Sequence, residues 1–226
     1  MPDGPREPVF AERPTALVVP DAWAFAAPLT LAGGLAIGLD APWIGAALAG
    51  LGAFCVLFFR NPVRSFAGDE RDVVAPADGR VLAVDELEDE RGAKGLRIGI
   101  FLSVFDVHVN RAPVAGRVVA LERGGTRFLA AFDPRGEREN VRLAMTLETA
   151  RGERVVVTQI TGLIARRIVC HPKVGEWLAR GTRYGLIRFG SRTDVWLPLG
   201  AEACVKRGDR VRGGATRLAR LPEAPR

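Results

Sequence analysis

From Trp23 to Phe59 the chain carries one charged residue, Asp40, and no polar stripe. The run divides into Trp23–Leu39 and Pro42–Phe59 around Asp40-Ala41-Pro42. Each half is close to the roughly 17–25 residues that a helix needs to cross a bilayer core. Gly and Ala recur in both, as they do where two helices pack closely in lipid. A soluble helix normally shows a polar face, and these show almost none. The pattern therefore predicts an α-helical membrane hairpin over residues 23–59, spanning the bilayer or entering it as a re-entrant or shallow interfacial pair; a buried hairpin in a soluble core is the competing reading. Residues 1–22, rich in Pro, Ala and charge, read as a flexible tail, and no signal peptide is expected at this end.

From residue 60 to 226 the texture changes. Short apolar runs alternate with polar residues and end at Gly, Pro or Asp. Strands are expected at Arg80–Val84, Leu96–Leu102, His108–Ala112, Gly116–Leu121, Val141–Thr149, Arg154–Ile160, Ile168–Val169, Gly185–Phe189 and Asp194–Leu197, with a weaker one near Cys204. One helical turn is expected near Pro172–Leu178. Ala75-Pro76-Ala77-Asp78-Gly79-Arg80-Val81-Leu82-Ala83 echoes Ala112-Pro113-Val114-Ala115-Gly116-Arg117-Val118-Val119-Ala120. Near the C-terminus, Gly208-Asp209-Arg210-Val211-Arg212-Gly213-Gly214 adds a turn of the kind found in biotinyl/lipoyl-type barrels. The fold class expected is a mainly β catalytic domain, sandwich or barrel-like with hammerhead-type hairpins, preceded by the helical hairpin.

Charge sharpens the choice of partner. The net charge is +6 and the pI about 10.0, which favours anionic partners. The aromatics are not interleaved with basic residues as in nucleic-acid readers, so a membrane surface ranks above nucleic acid. Arg6 and Arg13 precede the hairpin and Arg60, Arg64 and Arg71 follow it, while the connector has no Lys or Arg. That asymmetry puts both ends, and the β domain, on the cytoplasmic side of the cell membrane. Cys55, Cys170 and Cys204 are widely spaced and form neither a disulfide framework nor a zinc motif.

The chemistry centres on Ile187-Arg188-Phe189-Gly190-Ser191-Arg192-Thr193-Asp194-Val195-Trp196-Leu197-Pro198, two short strands meeting at a Gly-Ser step. Gly190 permits unusual backbone angles and leaves its carbonyl open. A strained turn would let the Ser191 hydroxyl attack that carbonyl and convert peptide to ester. Elimination would then cut the chain and leave a dehydroalanine that hydrolyses to a pyruvoyl group. Gly-Ser is also an ordinary turn pair. Of the two histidines, His108 lies in an alternating segment that would project Asp106, His108 and Asn110 to one face, an arrangement suited to a general base. His171 precedes Pro172 and reads as structural. Asp78, before Gly79, reads by default as a turn-former.

Together these features resemble the pyruvoyl-dependent phosphatidylserine decarboxylases in their short, membrane-hairpin form. The resemblance rests on Phe58-Phe59-Arg60-Asn61-Pro62-x-Arg64, Ala75-Pro76-Ala77-Asp78-Gly79, Phe101-Leu102-Ser103 with Asp106-x-His108, and Arg188-Phe189-Gly190-Ser191, in that order, across residues 23–214. It implies a proenzyme that cuts itself between Gly190 and Ser191. A large chain 1–190 then stays with a small chain 191–226 as a heterodimer, which could dimerise further. It implies catalytic roles for Ser191, His108 and Asp78, with His108 taking the hydroxyl proton. The covalent pyruvoyl group derived from Ser191 would bind the substrate amine as a Schiff base and serve as electron sink. No metal and no pyridoxal phosphate are needed. Longer members of the family have a second histidine three residues after the first; here that position is Arg111. Asp106, Asn110 and Arg111 are the candidates for substrate contact, Arg111 because a guanidinium binds phosphate or carboxylate through paired bonds. The competing expectation is a membrane-tethered biotinyl/lipoyl-like binding or adaptor domain without catalysis. It lacks a carrier lysine, since neither Lys94, Lys173 nor Lys206 sits between two methionines. A serine hydrolase is a third reading, and Gly190-Ser191 lacks the Gly-x-Ser-x-Gly elbow of one large class.

Overall fold

The computed structural model describes residues 17–88, 94–163, 167–188 and 190–223. Most of the expected N-terminal tail, with Arg6 and Arg13, and residue Phe189 lie outside them. Within the described residues the chain forms two compact units, one up to Val63 and one from Arg64 onward.

The first unit is a helical hairpin. A 3₁₀ turn (Pro20–Ala22) leads into α1 (Trp23–Gly38), and Leu39-Asp40-Ala41 connects it to α2 (Pro42–Phe58). Pro at the first position of α2 fits because its missing N–H would have no partner there. Two glycines let the helices touch. A Cβ on Gly33 would lie 2.9 Å from the Gly45 carbonyl oxygen, and one on Gly45 2.7 Å from that of Gly33. Leu31, Leu35, Trp43, Ile44 and Leu51 point outward and are exposed, so the hairpin is apolar outside as well as inside. Pro20–Gly38 is long and apolar enough to span a membrane; α2, at 17 residues, is shorter. The last residues assigned to the tail are ordered here: Val19 N–H donates to the Phe59 carbonyl (2.9 Å) and Asn61 N–H to that of Leu17 (2.7 Å).

The second unit is mainly β. In chain order its strands are β1 (Asp72–Val74), β2 (Gly79–Glu88), β3 (Lys94–Leu102), β4 (Val109–Arg111), β5 (Gly116–Gly124), β6 (Arg142–Glu148), β7 (Arg154–Thr161), β8 (Ile168–Cys170), β9 (Trp177–Leu178), β10 (Arg183–Ile187), β11 (Ser191–Pro198), β12 (Glu202–Ala203), β13 (Arg210–Val211) and β14 (Arg217–Arg220), with one helical turn, α3 (Gly136–Glu139). A curled eight-stranded sheet runs β13-β2-β3-β11-β7-β6-β5-β9, and two three-stranded sheets run β1-β14-β12 and β4-β10-β8. Alternation sets the buried face: Leu96, Ile98, Ile100 and Leu102 of β3, Leu143, Met145 and Leu147 of β6, and Val195 and Leu197 of β11 all join one core.

The repeated Ala-Pro-x-x-Gly segments are structurally equivalent. Each is a bend that opens a long strand, β2 or β5, with a register shift two residues into it. They bond reciprocally: Val74 N–H donates to Pro113 C=O (2.9 Å) and Arg111 N–H to Pro76 C=O (2.8 Å). A second echo accompanies them. Lys173-Val174-Gly175-Glu176 and Lys206-Arg207-Gly208-Asp209 are matching turns, each closed by its acid on the lysine N–H at 2.9 Å. Gly175 donates to Val118 C=O and Gly208 to Val81 C=O, both at 2.8 Å. This echo corrects the helix expected near Pro172–Leu178: the segment is a turn entering the two-residue strand β9, fixed by the Glu176 carboxylate.

Met145 is entirely buried in this core. Met145→Ala should lower stability by about 2–5 kcal/mol, read as a shift in the denaturation midpoint of the folded protein.

Candidate active site

The strands on either side of Gly190-Ser191 do not pair with each other. β10 lies between β4 and β8, whereas β11 lies between β3 and β7, so the chain changes sheets across residues 188–190. Gly190 makes the change with φ +66°. Space does not demand glycine there, since an added Cβ would meet only Val104 Cγ1, at 3.9 Å; the left-handed conformation does. Its carbonyl lies against Gly162, where a Cβ would come within 2.5 Å of the Gly190 oxygen. Ser191 opens β11 opposite Leu102 and Thr161 and is fully buried. Its Oγ has no hydrogen-bond partner among the described residues. Leaving such a group unmet costs about 1–3 kcal/mol, which marks the position as one kept for something other than stability.

His108, just before β4, is 1% exposed. Its Nδ1 lies 2.9 Å from the Asp106 backbone carbonyl. A carbonyl only accepts, so Nδ1 carries the hydrogen. The other nitrogen, Nε2, accepts from the Gly190 N–H at 3.2 Å. The ring is therefore a neutral tautomer whose lone pair is engaged by the Gly190 N–H, one peptide before the Gly190–Ser191 bond.

The expected acid partners sit differently. Asp106 is not on an alternating strand with His108 and Asn110, because residues 103–108 form a turn. Its carboxylate closes that turn on the Ser103 N–H (2.8 Å) and hydroxyl (2.7 Å), and Arg210 approaches at 3.3 Å. Asp106 thus serves His108 through its backbone. Asp78 accepts from Arg64 Nη2 (2.8 Å) and the Gly213 N–H (2.7 Å), so the structure does not make it the partner of His108 Nδ1. Arg111 donates to the Gly181 carbonyl at 3.0 Å and is 8% exposed.

Asn110 is brought to the site, together with residues that sequence reasoning missed. Its Oδ1 accepts from Gln159 Nε2 (2.8 Å), and its Nδ2 donates to Thr193 Oγ1 (3.3 Å). Gln159, Thr161 and Thr193 are fully buried on the core-facing side of β7 and β11. Both strands read apolar on that face at their far ends (Val155, Val157; Val195, Leu197) and polar next to Ser191. That break in alternation was the available signal. Gln159 Oε1 is buried and unpartnered among the described residues, an acceptor left for a donor. On the opposite face of β11, Arg192 grips Asp194 through two bonds (2.6 and 2.8 Å) and reaches Glu137 at 3.3 Å. Burial holds the Asp194 carboxyl above its ordinary value, against the opposing pull of the Arg192 guanidinium.

A neutral imidazole, a buried hydroxyl with no partner among the described residues and a left-handed glycine thus come together next to one another, the kinds of group that base-assisted hydroxyl attack uses. Among the described residues no cluster of His, Cys, Asp or Glu could hold a metal ion. Gly190→Ala should cost about 1–2 kcal/mol from backbone conformation alone. Thermal denaturation of the variant checks this, and unchanged stability would remove the argument that the left-handed conformation requires glycine there.

A profile of the family described as phosphatidylserine decarboxylase matches residues 51–219, a span that holds the Gly190-Ser191 step, His108 and the buried polar cluster. A protein of Symbiobacterium thermophilum named phosphatidylserine decarboxylase proenzyme is 48% identical over 210 residues, covering 92% of this chain and 97% of that one. Proteins with the same name from Geotalea uraniireducens and Aromatoleum aromaticum are 52% and 46% identical over 170 residues, each covering 75% of this chain and 80% and 79% of their own. Matches of this identity and extent cover the hydroxyl, base and glycine together, and the chain belongs to the phosphatidylserine decarboxylase family.

Proposed function

We propose that the chain decarboxylates phosphatidylserine to phosphatidylethanolamine, using a pyruvoyl group that it makes from Ser191 by cutting itself at Gly190-Ser191. The observation that carries this reading is the Gly190 N–H bond to His108 Nε2 beside a buried Ser191 hydroxyl with no partner among the described residues. Once the Gly190 N–H bond to it is released, His108 Nε2 takes the Ser191 Oγ proton and passes it to the Ser191 nitrogen as Oγ attacks the Gly190 carbonyl carbon and the C–N bond breaks, giving an ester and a free amine. Loss of the Ser191 α-proton expels the Gly190 carboxylate and leaves a dehydroalanine, which water converts to the pyruvoyl group with release of ammonia. The Asp106 carbonyl holds the imidazole in the tautomer this needs.

The residues beside Ser191 suit the group. Asn110, Gln159 and Thr193 offer polar atoms on the face from which Ser191 projects, and Gln159 Oε1 is available to a donor such as the substrate amine. When formed, the pyruvoyl carbonyl supplies an electron sink for the pair released with CO₂. Around it this chain's residues orient and exclude water, and His108 Nε2 is placed to hold or return the proton. Arg111 already bonds Gly181 and acts on the loop more directly than on substrate. Asp78 acts at a distance from His108, holding residue 213 and Arg64 in place. The hairpin lies in the cell membrane with the β domain on the cytoplasmic side, where anionic lipid meets a basic surface. Chains 1–190 and 191–226 remain associated as the working enzyme. A membrane-tethered adaptor would leave the His108 bond and the unmet Ser191 hydroxyl without a purpose.

Intact mass of the purified protein tests the reading. The wild type should separate into 1–190 and 191–226, the latter lacking a free amine, and Ser191→Ala should stay whole. A folded wild type that stays uncut would overturn it. His108→Gln should slow self-cleavage by roughly 10²–10⁴-fold, the usual worth of a positioned general base, measured as the time course of fragment appearance.

A further inference from the structure

Three different connections converge near the Gly190 peptide. Val104, between β3 and β4, supplies the atom nearest to a Cβ built on Gly190. Gly162, between β7 and β8, lies against the Gly190 carbonyl. Ala131, between β5 and β6, lies beside Gly162, 3.3 Å from where its Cβ would be. In each case the next residue along the chain is a large hydrophobic side chain held in solvent: Phe105 (69% exposed), Phe132 (70%) and Leu163 (66%). A single exposed apolar residue needs no explanation. Here Val104 and Gly162 adjoin Gly190 and Ala131 adjoins Gly162, so a collar of three exposed apolar side chains, none part of the buried core, stands on connections that converge on one peptide. Phe132 meets Phe101 edge-on, with ring centroids 6.4 Å apart. An exposed Arg167 joins them, its carbonyl accepting from the N–H of Arg188, two residues before Gly190.

We propose that this collar of Phe105, Phe132 and Leu163 is a bilayer-entry surface, docking on the phospholipid membrane around the reacting residue. The inference rests on the phosphatidylserine reading. A diacyl lipid can present its headgroup to a buried site only if its acyl chains stay covered while the headgroup rises. Exposed apolar side chains on the connections next to the site supply that cover, and a neighbouring arginine suits an anionic headgroup layer. The collar belongs to the rate of lipid transfer into the site, not to self-cleavage, which happens within the protein.

The test compares the full two-chain enzyme, hairpin included, with the triple variant Phe105→Ser, Phe132→Ser, Leu163→Ser. The substrates are phosphatidylserine in phosphatidylcholine vesicles and dihexanoyl phosphatidylserine below its micelle-forming concentration. Self-cleavage of the variant reports an intact site. The expected result is a fall of roughly tenfold or more in kcat/KM on vesicles, the scale set by removing apolar burial at up to three positions, with a change within about twofold on the soluble substrate. Each single variant should carry part of the same vesicle-specific loss, which keeps the test open if the triple variant misfolds. An unchanged vesicle rate would overturn the proposal, as would an equal fall on both substrates. A variant that turns from dimer to monomer while keeping its vesicle rate would also overturn it, by assigning the collar to a second copy of the chain. A self-cleaved wild type inactive on both substrates would sink the phosphatidylserine reading itself, a result distinct from these.

Discussion

The backbone at Gly190 has to leave one sheet and enter the middle of another. A left-handed residue at that point turns the chain, and the N–H that would otherwise be stranded by the turn finds the imidazole of His108. Because Nε2 accepts this bond, Nδ1 must donate, and the Asp106 carbonyl is there to receive it. The tautomer of the base is thus fixed by two backbone groups, one on each side of the ring. Ser191 follows directly in a strand hydrogen-bonded on both edges, which holds its Cα and sends its hydroxyl inward. The chemistry of the site depends on this crossing more than on any ion pair.

The surrounding domain is two similar halves. Bend, long strand and returning hairpin occur twice, and the Lys-x-Gly-acid turns that buttress them occur twice as well. What the halves do not share is informative. The first bend has Asp78, tied to Arg64 and Gly213, where the second has Ala115. The segment before the second bend carries His108 and Asn110, at positions where the first half has Arg71 and Val73. Polar groups were placed where the repeat could be broken without loosening the apolar layer that both halves fill.

The hairpin was legible because a long charge-free run has few other readings, and β2, β3, β5, β6 and β7 because alternation survives along them. The short strands β1, β9, β13 and β14 were not, since two to four residues carry little periodicity and are held by backbone bonds to distant turns. The Pro172–Leu178 segment misled because a side chain closing on a backbone N–H, as Glu176 does, leaves a helix-like composition. The site was half legible. Gly190, Ser191 and His108 could be singled out by residue type. The partner of His108 could not, because a backbone carbonyl has no letter in the sequence, and the nearby acids drew attention instead. Gln159 was hidden inside an apolar run, visible only once its face was known.

The central place of β11 bears on the life history of the molecule. A break before Ser191 would leave a segment clamped by eight residue pairs on one side and six on the other, with its later portions also paired to β2 and β1. While the chain is whole, closing those pairs is an intramolecular event with an effective concentration set by a three-residue link. Once the link is gone, the same pairs must form between two separate molecules, one of them too short to hold a shape alone. Assembly instructions would then exist only in the uncut precursor, so a cell could not repair an unfolded copy and would have to replace it by new synthesis.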